Sequence, residues 1–95
     1  MNQEMLKKLK NMQKDLELKQ DEFNKKDFIV ERQGVKIKAK GNMLIESVEI
    51  DEVLIDPDDK ELLEDLLIVA FNELVDKIEE EQKSLAPKMP SGFPF

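Results

Sequence analysis

The stretch GVKIKAKG, residues 34–41, alternates without a fault. Val35, Ile37 and Ala39 fall on one side and Lys36, Lys38 and Lys40 on the other, the period of a strand with one face buried. Just upstream, Phe28–Gln33 (FIVERQ) is a short β-branched first strand, and Gly34 supplies the turn between the two. Just downstream, Gly41-Asn42 is a hairpin-type turn dipeptide. Met43–Ile50 (MLIESVEI) is the third strand. Its pattern is less clean, with Val48 and Ile50 on one face and Met43 and Ile45 on the other, so a bulge or a two-sided contact is expected. Connections this short make the three strands an antiparallel meander.

Helices flank the meander. Residues 3 to about 26 hold no Gly or Pro. At 100° per residue, Met5, Leu9, Met12, Leu16 and Phe23 form a narrow stripe. The spacing is that of a heptad seam with Lys19 at the missing position. So narrow a stripe on a long polar helix predicts an element that pairs with another helix or projects from the domain. Lys7, Lys10, Lys14 and Lys25 lie roughly opposite the stripe, interrupted by Leu18 and Asp21. After the meander, Glu52–Asp56 is linker and Pro57 opens the second helix, with acids placed at the positive end of its dipole. Asp58 and Glu61 have the spacing of a capping box. A calcium loop is excluded, because Lys60 stands where an oxygen ligand belongs and no glycine follows. The second helix reaches about Lys83. Its run Leu66-Leu67-Ile68-Val69-Ala70-Phe71 is apolar all round for more than a turn. A single three-stranded sheet covers only one side of such a helix. Either a second copy of the chain or the first helix must cover the rest. Residues 1–86 therefore read as one domain. Residues 87–95, with three prolines and a glycine, read as a tail.

Composition narrows the chemistry. The 95 residues contain no Cys and no His. That removes disulfides, thiolate metal sites, the usual neutral-pH general base and the commonest metal ligand. Ser occurs three times and Thr and Tyr never, and with no His to activate a hydroxyl no nucleophilic triad can be assembled, so neither an enzyme nor a cofactor is expected. No apolar run is long enough for a membrane span, and the reading is a cytoplasmic protein. Charge is uneven. Residues 1–40 hold ten Lys and Arg32 against seven acids, a net of +4; residues 41–95 hold four Lys against fifteen acids, a net of −11. Such asymmetry suits a polyanionic partner for the basic half, or attraction between the two halves.

With these elements placed, the chain resembles the YbaB/EbfC family of bacterial nucleoid-associated proteins. DDKELLEDLLIVAFNELVDKIEEEQK, residues 58–83, looks like the family's long helix, and VEIDEVL, residues 48–54, like its third strand and the turn that leaves it. VKIKAKGN sits where the family has its second strand and turn, and PSGFPF resembles the end of some members. The chain departs from the pattern in two ways. The glycine-rich stretch between the first two strands is reduced to Gly34, and the second half is notably acidic. The resemblance implies an α+β fold of helix, three-stranded antiparallel meander and long helix. It also implies a tweezer-like homodimer and binding to double-stranded DNA in the nucleoid. It carries no catalytic motif.

The DNA-contact residues are therefore chosen on charge: Lys7, Lys8, Lys10 and Lys14 on the first helix, Lys25 and Lys26 at its end, and the strand lysines Lys36, Lys38 and Lys40. The strand lysines have a second candidate partner in the acidic surface of a helix, such as Glu79, Glu80 and Glu81. With one Arg in the chain, low or shape-based sequence specificity is expected, with an influence on gene expression as the consequence. Leu66, Leu67, Ala70, Phe71 and Leu74 are the candidate dimer interface. The competing reading is an acidic dimeric protein-interaction module that does not bind DNA.

Overall fold

A computed structural model describes residues 2–85; the expected tail at 87–95 lies outside the described residues. The order is α1 (Gln3–Lys25), β1 (Asp27–Arg32), β2 (Val35–Lys40), β3 (Ile45–Ile50), a 3-10 turn (Glu52–Leu54) and α2 (Lys60–Leu85). The strands form one antiparallel sheet in the order β1-β2-β3. The expected α+β meander between two helices is the fold.

The turns follow from local chemistry. Gln33 and Gly34 both have positive φ, 48° and 97°, as a two-residue type I′ hairpin requires. The first strand thus ends at Arg32, and Gln33 belongs to the turn. The second turn differs from the simple Gly41-Asn42 reading. Its left-handed residue is Met43, at φ 70°, and Met43 N–H donates to the Lys40 carbonyl at 2.9 Å. Met43 and Leu44 are consumed by the loop, so β3 begins at Ile45.

The expected irregularity in β3 is a bulge. Lys38 faces Ser47, but Ala39 faces Ile45, leaving Glu46 as the extra residue. The bulge moves Ile45 onto the same face as Val48 and Ile50, not the opposite face that strict alternation assigned. Glu46 is turned to the lysine face, where its carboxylate lies 3.7 Å from Lys40.

Val35, Ile37 and Ala39 are fully buried, and α2 lies over β1 and β2. Ala70, Leu74 and Ile78, one turn apart, meet Phe28 and Val30 of β1 and the three β2 residues in a single core. Leu54 of the 3-10 turn closes one end. Ahead of α2, Asp56 closes a turn, its Oδ1 accepting the Asp58 N–H at 2.9 Å, and the helix starts at Lys60, so Asp58 lies before the helix rather than at the head of a capping box. At the other end of the core, Phe23 docks α1, its ring 5.5 Å from that of Phe28. Gly41 is what permits this. A Cβ there would stand 1.9 Å from the Phe23 carbonyl oxygen. The Gly41 N–H also donates to the Lys26 carbonyl at 3.0 Å.

Candidate nucleic-acid interface

The N-terminal arm has its own physical logic. Asn2 caps α1, its Oδ1 accepting the Met5 N–H at 2.9 Å. Only the last turns of the helix touch the body. Phe23 is buried, and Gln20 exchanges amide hydrogen bonds with Gln82 of α2 at 3.1 and 2.7 Å. Residues 19–26 run antiparallel to residues 81–85, so the arm continues past the end of α2. This geometry gives a long, thin molecule of 70 × 28 × 13 Å. Met5, Leu9, Met12 and Leu16 are exposed, as expected for a projecting element.

Lys7, Lys14 and Lys25 form a ridge on the side of α1 opposite that stripe, with Lys10 beside it and Lys8 on the flank. None of these five ammonium groups has a carboxylate within ion-pair distance among the described residues. Lys26 differs. It is paired with Glu81 at 2.7 Å and lies 5.4 Å from the centre of the Phe28 ring, so it is part of the joint between α1 and α2.

The strand lysines are placed otherwise. β1 and β3 bracket β2, and the register sets Lys36 against Glu31 and Glu49. Lys38 lies 3.7 Å from Asp27, and Lys40 donates to Asp27 and lies near Glu46. The lysine stripe therefore runs between two acidic edges. The hydrogen bond from Lys40 holds the Asp27 carboxyl below its ordinary range, and the same bond raises the Lys40 ammonium above its own. Glu79, Glu80 and Glu81 are not what these lysines meet; the partners are on adjacent strands. The sequence concealed this, because cross-strand partners depend on a register that only the turns and the bulge fix.

A second surface is apolar. The α2 flank carrying Glu73 and Lys77 lies over β1. Glu73 makes a two-pronged pair with Arg32 (Nη2 to Oε1 3.0 Å), and Lys77 Nζ donates to the Ile29 carbonyl at 3.3 Å. The hydrogen bond from Arg32 lowers the Glu73 carboxyl, and the same contact raises the guanidinium. The opposite flank carries Leu67, Ile68, Phe71 and Val75 on the side of β3. There Ile45 and Val48 are left exposed on the face that α2 covers elsewhere. Of the five residues chosen as a dimer interface, Ala70 and Leu74 are 0% and 1% exposed. They belong to the protomer's own core and have no surface to offer a partner. Leu66, Leu67 and Phe71 are partly buried at its margin. The exposed neighbours Ile68, Val69 and Val75, and Ile45 and Val48 on β3, were not among the chosen residues. The apolar run around α2 signalled the first group, and the bulge hid the second.

Among the described residues no helix is long and apolar enough to cross a membrane. The sequence pattern of the YbaB/EbfC DNA-binding family matches residues 1–93. A nucleoid-associated protein of Mycoplasmopsis pulmonis is 46% identical over 93 residues, covering 97% of this chain and 93% of the relative. One of Mycoplasma mobile is 52% identical, covering 94% and 95%. One of Enterococcus faecalis is 34% identical, covering 97% and 90%. The crystal structure of an uncharacterized protein of Helicobacter pylori superposes with a TM-score of 0.74 at 23% identity, over 90% of this chain and 92% of that one, which is a likeness of fold.

Proposed function

The chain belongs to the YbaB/EbfC DNA-binding family, whose pattern spans residues 1–93, and from that premise we propose that it is a nucleoid protein that coats double-stranded DNA as a homodimer. The observation that carries this reading is the ridge of Lys7, Lys10 and Lys14, with Lys8 beside it, on the part of α1 that stands clear of the acidic body, and Lys25 continues the ridge to the joint with α2. Phosphate neutralisation needs positive charge that is concentrated and not already paired; overall net charge matters less. The strand lysines, each flanked by carboxylates, contribute little. Base reading is weak, because the one Arg is held by Glu73. Contacts are therefore lysine point charges on phosphates, with specificity low or set by DNA shape. Coating of this kind bears on gene expression through access to the DNA.

The homodimer rests on the apolar surface between the α2 flank and β3. Ile68 and Val75 on α2, with the partly buried Leu67 and Phe71, and Ile45 and Val48 on β3 are apolar side chains left at the surface of a small chain, which a second copy would cover. Twofold pairing there would double the arms. Sedimentation of the purified protein tests it: Phe71→Asp with Ile68→Asp is expected to give monomers, and an unchanged dimer contradicts this interface. For DNA, fluorescence anisotropy with a labelled duplex of about 30 base pairs is expected to show saturable binding that weakens steeply with salt. An absence of binding at low salt would favour the protein-interaction reading, which the −11 charge of residues 41–95 supports.

A further inference from the structure

We propose that Gln20 and Gln82 are positioning residues for DNA binding: their amide pair fixes the direction of the arm, and so where the lysine ridge stands, without touching DNA. The inference rests on the DNA-binding reading above. α1 joins the sheet through a single extended residue, Lys26, at φ −70° and ψ 138°. The Lys26 carbonyl is pinned by the Gly41 N–H at 3.0 Å, so this residue is the pivot of the arm. Phe23 is buried within one turn of the pivot and holds the root of the helix, with little purchase on its tilt. The ion pair of Lys26 with Glu81 lies at the pivot itself and has no leverage. Gln20 stands one turn beyond Phe23. Among the described residues it is the outermost arm residue hydrogen-bonded to the body.

The chemistry of the pair suits a directional contact. Gln20 Nε2 donates to Gln82 Oε1 at 3.1 Å, and Gln82 Nε2 donates to Gln20 Oε1 at 2.7 Å. Two reciprocal bonds between planar amides fix distance and orientation together, where an apolar contact would slide. Gln20 Nε2 also donates to Asn24 Oδ1 at 2.8 Å, one turn nearer the pivot, which holds the Gln20 side chain in place on its own helix. Both glutamines are half-buried and uncharged, so salt that weakens lysine–phosphate contacts leaves this joint in place. Leverage then magnifies any slip. Along the helix, Gln20 lies about 9 Å from the pivot and Lys7 about 28 Å. A slip of about 1 Å at Gln20 moves Lys7 by about 3 Å, close to the rise of about 3.4 Å between successive phosphates of one strand. The same slip moves Lys14 by about 2 Å, so the ridge turns out of register with the phosphates.

Pulsed electron resonance reads the joint without DNA. The chain has no Cys, so nitroxides at Asn11→Cys and Ser47→Cys report one distance between arm and sheet. Dilution with unlabelled protein confines that distance to a single chain. The parent should give one narrow distribution. Gln20→Ala with Gln82→Ala should widen it by about 5 Å, the travel of residue 11 when Gln20 slips by about 2 Å. Gln20→Glu with Gln82→Lys replaces the amide pair by an ion pair. It should restore the narrow distribution at low salt and lose it at high salt. In duplex anisotropy, the unlabelled alanine pair should bind about 10-fold more weakly, as the competent direction of the arm becomes a minor population. Its salt slope should equal that of the parent, whereas loss of a lysine contact flattens the slope. A distribution as narrow in the alanine pair as in the parent would overturn the proposal. So would a wide distribution in the ion-pair variant at low salt, or parental DNA affinity in the alanine pair. A parent that binds no duplex would refute the DNA reading, and the positioning role with it, while the distances still show whether the amide pair holds the arm.

Discussion

Replacing Gly41 by Ala should loosen the arm from the body. The added Cβ would lie 1.9 Å from the Phe23 carbonyl oxygen and 2.9 Å from the Phe23 ring. Its obstacle is backbone, which cannot rotate aside. The end of α1 must retreat by more than an ångström. That breaks the hydrogen bond from Gly41 N–H to the Lys26 carbonyl, worth about 0.5–1.5 kcal/mol net. It also uncovers much of the Phe23 ring, whose full burial is worth about 1.5–3 kcal/mol. Together the loss is about 2–4 kcal/mol, a large share of the stability of a domain this size. Gly34→Ala is the comparison. Gly34 sits at φ 97°, but its nearest obstacles are side-chain atoms at 3.1 Å, so the cost is the left-handed backbone, about 1–2 kcal/mol. The assay is urea unfolding followed by far-UV circular dichroism at one fixed protein concentration, which removes any contribution of self-association from the comparison. With a urea slope of about 1 kcal/mol/M, Gly41→Ala should lower the midpoint by about 2–4 M, or leave the chain partly unfolded without denaturant. A midpoint equal to that of the parent, or higher than that of Gly34→Ala, would refute the claim that close approach at Gly41 anchors the arm.

Other outcomes follow from the same geometry. Ile37→Ala, at the centre of β2 with no exposed surface, should cost about 2–5 kcal/mol by urea unfolding. Acid should destabilise the fold through Asp27 and Glu73. Both carboxyls titrate below their ordinary range, so their contribution is present above about pH 4 and is lost as pH falls through the folded values. Asp27→Asn should flatten part of that acid limb in a series of urea midpoints against pH. Lys36→Gln, Lys38→Gln and Lys40→Gln together should change DNA affinity little, whereas a large loss in anisotropy would mean the sheet face touches DNA.

Much of the architecture was legible because local signals agreed. The alternation of GVKIKAKG, the positive-φ residue supplied by Gly34 and the uninterrupted runs on either side point to one arrangement. The misreadings lie where local pattern and register separate. Strict alternation put Ile45 opposite Val48, and one extra residue at Glu46 reversed that. Gly41 reads as a turn glycine, but its backbone is not in the left-handed region; its function is to admit the Phe23 carbonyl. The lysines of β2 and of α1 look alike in a sequence. Only the strand register shows that one set stands between carboxylates. The wide apolar arc of α2 shows that a second surface exists. Which residues are spent on the core, such as Ala70 and Leu74, depends on how the helix is rotated over the sheet.

The central claim is that DNA is held by the arm. It is tested most directly by the salt dependence of binding to a duplex of about 30 base pairs, for the parent and for the triple variant Lys7→Gln, Lys10→Gln, Lys14→Gln. Each phosphate contact contributes about 0.9 to the slope of log K against log salt. For each engaged arm, the variant should have a slope shallower by about 2.7 and an affinity at about 0.1 M salt lower by about 500-fold. An unchanged slope and affinity would contradict the account and move the search to another face of the molecule.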